Sequence, residues 1–378
     1  MKEKGQKTKD RKPFSLITVS NLLQQIADLQ IVKSNPRFPV GTFPSFRENK
    51  FLRYRRPDDN IFATASVIFI LNEIKAKLSP VEQKIVEKLT QNAQSAYSLY
   101  QNKDGLSTYN FWKTKPSRHF PHGKILQKLK HFKLPDDIDD TALIYLTKPH
   151  SDEEKRWLKE KLTQHSQRKN EPKRYVYSTW FGENMPIEQD VCALCNLMYW
   201  VFENDLPLNH HDEATLDFLR EKIVSLDYKK QPFQTARHYA TVPLILYHYA
   251  RLIYKFNIPQ LVNCKRIIVK EAIGLLREKC TPMEAILLST VLLKLAPESK
   301  VLGRFQLYEM PISDGEFYSF IGAFIAPYIE TKDAGRRTKD LITQKIAAHP
   351  LMRFNWKCDA HELALQIENL VLRNLGLS

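Results

Sequence analysis

Glycine is scarce in this chain, 11 residues in 378. Stretches in which valine or isoleucine alternates with polar residues are hard to find, so the period-two pattern of half-buried strands is missing. Apolar residues instead recur at three- and four-residue spacing almost throughout, which predicts an all-α fold. Long apolar runs are lacking too. None reaches the ~18–20 residues needed to span a bilayer. The longest, "IFATASVIFIL" from Ile61, is short and holds Thr and Ser. The basic N-terminus is not followed directly by an apolar signal core, which predicts a cytoplasmic protein.

Cysteines number five, an odd count at irregular spacing, which argues against a disulfide framework. Cys192 and Cys195 form a C-x-x-C, but inside the apolar stretch "DVCALCNLMYWVF" and with no second ligand pair. They read as buried thiols, not as a metal site. Positive charge, in contrast, is plentiful: the net charge is +15. A basic chain suits an anionic partner, either a membrane surface or a phosphorylated small molecule, or simply a lysine-rich solubilising surface. No zinc module and no aromatic-and-basic motif points to nucleic acid. Peripheral contact with an anionic membrane is compatible with the charge. "MKEKGQKTKDRK" predicts a disordered basic tail over 1–12, leaving 13–378 for a single domain.

Six segments share one pattern, a polar head followed by a stretch apolar nearly all round. They are "DDNIFATASVIFIL" from Asp58, "DDIDDTALIYL" from Asp136, "EQDVCALCNLMYWV" from Glu188, "TARHYATVPLILYHY" from Thr235, "TPMEAILLSTVLLKL" from Thr281 and "CDAHELALQIENLVL" from Cys358. A helix apolar on every face is buried on every face. Between them lie amphipathic, lysine-rich helices suited to an outer layer. Alternating buried and outer helices describe a single α/α toroid of about six helical hairpins. "EFYSFIGAFIAPYIE" from Glu316 is a candidate for one further inner helix. In such a toroid the inner helices run parallel. Their polar heads, among them Asp58, Asp59, Asp137, Asp139, Asp140, Asp190, Arg237, His238, Asp359 and His361, would then surround one mouth.

Two stretches carry a resemblance. "DIDDTA", Asp137 to Ala142, is similar to the D-x-D-D-T-A motif of class II terpene cyclases. "YQNKDGLSTYNFW", Tyr100 to Trp112, resembles a degenerate form of their Q-x-x-D-G-x-W repeat, and the two stand in the family's order. The resemblance implies an isoprenoid substrate and cyclisation started by protonating an alkene. Asp139 would be the acid, with Asp137 and Asp140 orienting it. It implies no metal for the chemistry, with Mg²⁺ serving to hold a diphosphate where the substrate has one. An alkene is a very poor base, so the donor must be a strong, well-aimed acid in a dry pocket. Carbocations need aromatic faces. Tyr109, Phe111, Trp112, Trp180 and Tyr239 are candidates for that lining. Arg237, His238, Arg55 and Lys113 are candidates for polar or diphosphate contacts. The full set of Gln-and-Trp repeats is missing, and the chain has room for only one toroid.

Other readings stay open. "DDIDD" also satisfies D-D-x-x-D, the Mg²⁺ motif of class I synthases, although its position at a helix start argues against that. A glycoside-processing toroid would pair an acid here with Asp190 or Asp59. A toroid that binds a ligand without chemistry would use the aspartates as helix caps, though four exceed what capping requires.

Overall fold

The computed structural model describes residues 18–117, 119–122, 134–164, 166, 175–181, 187–304, 317–323, 346 and 349–376. The predicted tail over 1–12 lies outside the described residues. In chain order the elements are α1 (Val19–Leu29), β1 (Ser45–Asn49), β2 (Tyr54–Asp58), α2 (Phe62–Ile74), α3 (Pro80–Ala96), α4 (Ile138–Thr147), α5 (Asp152–Gln164), α6 (Val191–Glu203), α7 (His210–Val224), α8 (Asp227–Lys230), α9 (Pro232–Thr235), α10 (Val242–Lys255), α11 (Val262–Arg277), α12 (Pro282–Leu295), β3 (Phe320–Ala323), β4 (Arg353–Lys357) and α13 (Asp359–Gly376).

All six patterned segments form the inner ring. α2 packs on α4, α4 on α6, α6 on α10, α10 on α12, α12 on α13, and α13 closes back onto α2. Their sequences explain the placement. α2 buries every residue from Phe62 to Leu71, so no face of that stretch could stand in water. α3 buries only Val86, Leu89, Ala93 and Ala96, one stripe at helical spacing, and sits outside against α1 and α2. α11 likewise buries Cys264, Ile268, Ala272 and Leu276 and covers α10 and α12. Caps fix where helices begin. Ser79 with Glu82, Asn209 with Asp212 and Thr281 with Glu284 form capping boxes on α3, α7 and α12.

The all-α expectation needs a correction. Four strands form one antiparallel sheet in the order β2-β1-β4-β3. The segment suggested as a further inner helix contributes β3 instead. Its backbone pairs with β4 from Phe320↔Trp356 to Ala323↔Arg353. Gly322 lies under the Trp356 ring, where a Cβ would stand 2.8 Å from an aromatic carbon. Aromatic and β-branched residues beside such a close approach favour a strand over a helix. The arginine-rich stretch before α2 forms the β1–β2 hairpin.

Hydrogen bonds tie the N-terminal ends of the inner helices together. Ile61 N–H donates to the Phe111 carbonyl, Asp137 N–H to Tyr109, and Ile138 N–H to Thr179. β3 joins the same end, because Ile321 N–H donates to the His238 carbonyl. The sheet therefore stands at the mouth where the polar heads meet.

Candidate active site

The four aspartates have four different jobs. Asp137 is the N-cap of α4, and its carboxylate accepts from Asp140 N–H at 2.8 Å. Asp136 is not a cap. Its carboxylate accepts from Thr108 at 2.5 Å, Asn102 at 2.5 Å and Asn110 at 3.4 Å. The Gln-Asp-Gly stretch is thereby fastened to the head of α4. Within it Gly105 takes φ +87°, and the Gln101 amide donates to the Gly105 and Leu106 carbonyls.

Asp140 is buried, and burial followed by the charge of Asp137 pushes its carboxyl well above the usual range. It keeps its proton and donates it to Asp137, leaving its own Oδ1 without a partner. Burial and the neighbouring Asp139 raise Asp137 to about 7.

Asp139 faces a different set of groups. Its Oδ1 accepts from the Asn196 amide at 2.6 Å, and its Oδ2 accepts from the Tyr239 hydroxyl. Asn196 is held in turn by the Arg251 guanidinium, which donates to its Oδ1. Arg251 is buried between the faces of Phe69, 4.6 Å away, and Tyr247, 5.4 Å away. Burial raises the Asp139 pKa; the bonds from Asn196 and Tyr239 and the charges of His238 and Arg251 pull it back. The two influences oppose each other: burial favours the protonated acid, and the donors favour the carboxylate.

A second ionic cluster flanks this one. Glu188 accepts from His238 at 2.8 Å and from Arg237 at 2.9 Å, and Trp180 donates to it as well. Burial would raise its pKa, but Arg237 and His238 hold it down to about 2. Burial alone would lower His238, yet Glu188 and Asp190 lift it to about 9, so the ring is an imidazolium. Asp190 caps α6 and accepts from His238 N–H at 2.9 Å; burial puts it at about 6. The His238 contribution to stability is complete below its ordinary 6.5 and is lost as pH rises through about 9. The Glu188 contribution is complete above its ordinary 4.5 and is lost as pH falls through about 2. Replacing His238 with Gln should flatten the fall in stability between 6.5 and about 9, as measured by urea unfolding at a series of pH values. An unchanged slope there would remove His238 as its source.

Aromatic rings gather around Phe320 and reach Tyr239, whose hydroxyl donates to Asp139. Phe320 of β3 meets Phe62 at 5.3 Å, Phe111 at 5.0 Å, Trp356 at 5.4 Å and Tyr239 at 5.9 Å. It also stacks on the His238 ring at 4.9 Å. Phe62 touches Tyr239 at 5.7 Å and His361 at 6.4 Å. His361 is a neutral imidazole, lowered by burial to about 3.

The remaining sequence candidates are dispersed. Phe111 and Tyr239 belong to the cluster, and Trp180 lies 5.8 Å from His238. Tyr109 packs on Tyr145 of α4 instead. Trp112 uses its indole N–H to bind Asp58 at 2.9 Å. Lys113 is paired with Asp59 at 2.5 Å, and Arg237 with Glu188. Arg55 stands at the outer edge of the sheet, 4.4 Å over Phe46. Cys192 and Cys195 are buried in α6. Arg118 lies outside the described residues. The D-D-x-x-D reading needs carboxylates that converge on a cation, whereas Asp136, Asp137 and Asp140 are committed to a loop, a cap and each other. The glycosidase partners are engaged too, Asp190 as a cap and Asp59 in an ion pair. Asn196 and Arg251 were not anticipated from sequence. Both are buried polar residues in predominantly apolar inner helices, which is the signal that could have found them.

No family model and no curated protein matches this chain. Among solved structures it is similar to the type II terpene cyclase MstE from Scytonema, an arginine variant in complex with its substrate geranylgeranyl dihydroxybenzoate. The TM-score is 0.57 at 12% identity, over 95% of this chain and 98% of that one. The likeness is one of fold, and it spans a neighbour of about the same length.

Proposed function

We propose that this protein is a class II cyclase that protonates an alkene of an isoprenoid substrate and closes one or more rings. The observation that carries the reading is Asp139, a buried carboxyl held between Asn196 and Tyr239, the latter packed against Phe62 and Phe320. In the first step the Asp139 O–H bond breaks and its electrons stay on the carboxylate. The alkene π pair forms the new C–H bond, leaving a carbocation at the more substituted carbon. An internal alkene then attacks that carbon, and loss of a proton at the end makes the sequence an isomerisation. No metal is needed for this chemistry, and Mg²⁺ enters only with a substrate that carries a diphosphate.

Negative charge develops on Asp139 as the cation forms. Asn196 and Tyr239 are already aimed at it, the role of donors in an oxyanion hole. Tyr239→Phe should therefore lower kcat by ~10²-fold with little change in KM. An unchanged kcat would remove Tyr239 from the reaction.

The test is incubation in D₂O with isoprenoids of fifteen to thirty carbons, with and without a diphosphate, in EDTA and in Mg²⁺. The expected product is cyclic and carries one deuterium at the initiating end in either medium. Diphosphate release strictly dependent on Mg²⁺ would favour a class I reaction. Failure of every substrate to cyclise would sink the proposal.

A further inference from the structure

The β1–β2 hairpin combines exposed apolar and cationic side chains. Its tip exposes two large apolar side chains, Phe51 at 66% and Leu52 at 60%. Leu351, 43% exposed, stands beside them, because Asn49 donates to the Leu351 carbonyl at 3.1 Å and to the Arg353 carbonyl at 2.8 Å. These bonds, with Leu52 N–H donating to Asn49 at 3.0 Å, fix the tip in place. Large apolar residues at a rigid tip ordinarily mark a contact.

The charge around the tip is of one sign. Lys50, Arg53 and Arg55 are exposed, and the only carboxylate between Ser45 and Pro57 is Glu48, buried and 3.7 Å from Arg55. Along the hairpin runs a cleft of about 600 Å³ lined by Arg37, Phe46, Arg55, Arg56, Pro57 and His122. Arg55 and Arg56 are neighbours in β2 and should point to opposite faces. Both reach the cleft because β2 is the edge strand. The cleft thus joins three guanidiniums, an imidazole and an apolar floor, with no carboxylate in its wall.

We infer that this hairpin docks the protein on an anionic lipid bilayer, with Phe51, Leu52 and Leu351 entering the headgroup region and Arg37, Arg55 and Arg56 binding lipid phosphates. Apolar insertion and attraction to anionic lipid reinforce each other in peripheral binding. Charge complementarity selects the occupant, since an uncharged protein partner would leave these arginines unmatched. Placement adds to this. The hairpin lies at one edge of the sheet, and Phe320, packed on the Tyr239 that bonds Asp139, lies at the other, roughly 14 Å away at ordinary strand spacing. Docking there holds the mouth close to the bilayer. The surface stands without the reaction; its use in taking up an apolar substrate rests on the proposed cyclisation.

The experiment is flotation of the full chain with vesicles of phosphatidylcholine alone or with roughly one-third phosphatidylglycerol. Binding is expected only to the anionic vesicles and should be lost at high salt. Phe51→Ser with Leu52→Ser, and separately Arg55→Glu with Arg56→Glu, should each weaken it by ~10-fold or more. Lys265→Glu with Arg266→Glu, on the exposed face of α11, should have far less effect, and Asp139→Asn none. Equal binding by the hairpin variants, or no binding by the parent protein, would overturn the proposal. So would saturable binding of inorganic pyrophosphate at the arginines without vesicle binding, which would make the cleft a site for a free anion. Neither outcome bears on the chemistry at Asp139.

Discussion

Replacing Asp139 with asparagine is expected to lower cyclisation by roughly 10³–10⁴-fold, the upper range for loss of a general acid. The fold should survive. An asparagine oxygen can still accept from Asn196, and its amide can donate to Tyr239, whose hydroxyl is free to reverse its role. The loss would therefore reside in kcat, with unfolding midpoint and substrate binding close to those of the parent. Asp136→Asn supplies the contrast. Asp136 holds the loop through Asn102 and Thr108 and does not meet Asp139's partners, so its replacement should act through loop position and cost far less. Turnover by Asp139→Asn close to the parent's, or an equal loss from Asp136→Asn, would end the assignment of Asp139 as the acid.

The largest expected loss of stability comes from Asp58→Ala. Arg47 and Asp58 form a 2.5 Å ion pair in which both side chains are almost wholly buried. The Trp112 indole and the Asn60 amide also donate to Asp58. Removing one partner of such a pair strands a buried charge and costs ~3–5 kcal/mol. Removing both with apolar residues of similar volume, Arg47→Met with Asp58→Leu, should restore much of that loss. Urea unfolding measures each value. A loss below ~1 kcal/mol for Asp58→Ala, typical of an exposed pair, would contradict the burial described here.

The inner ring was legible in the sequence because all-round apolarity leaves a helix nowhere to go but inside. The head of α4 was legible because Pro135 and the aspartates mark a helix start. The division of labour among the four acids was not, since it depends on what arrives from elsewhere. Thr108, Asn196 and Tyr239 reach them from 28, 57 and 100 residues away. The sheet was missed for a related reason. Its strands are only four or five residues long, too short for period two to stand out, and its two strand pairs join only where β1 meets β4, about 300 positions away.

Arg251 gives the site a direction. The guanidinium stands behind Asn196, and the rings of Phe320, Phe111 and Trp356 gather under the sheet. In the proposed cyclisation, a positive centre born at Asp139 would be pushed by one and drawn by the others, while the new carboxylate would tether it. The field would thus bias where the migrating charge goes next, and rings should grow from α4 toward the strands. On that reading, this built-in polarity would help set the product skeleton.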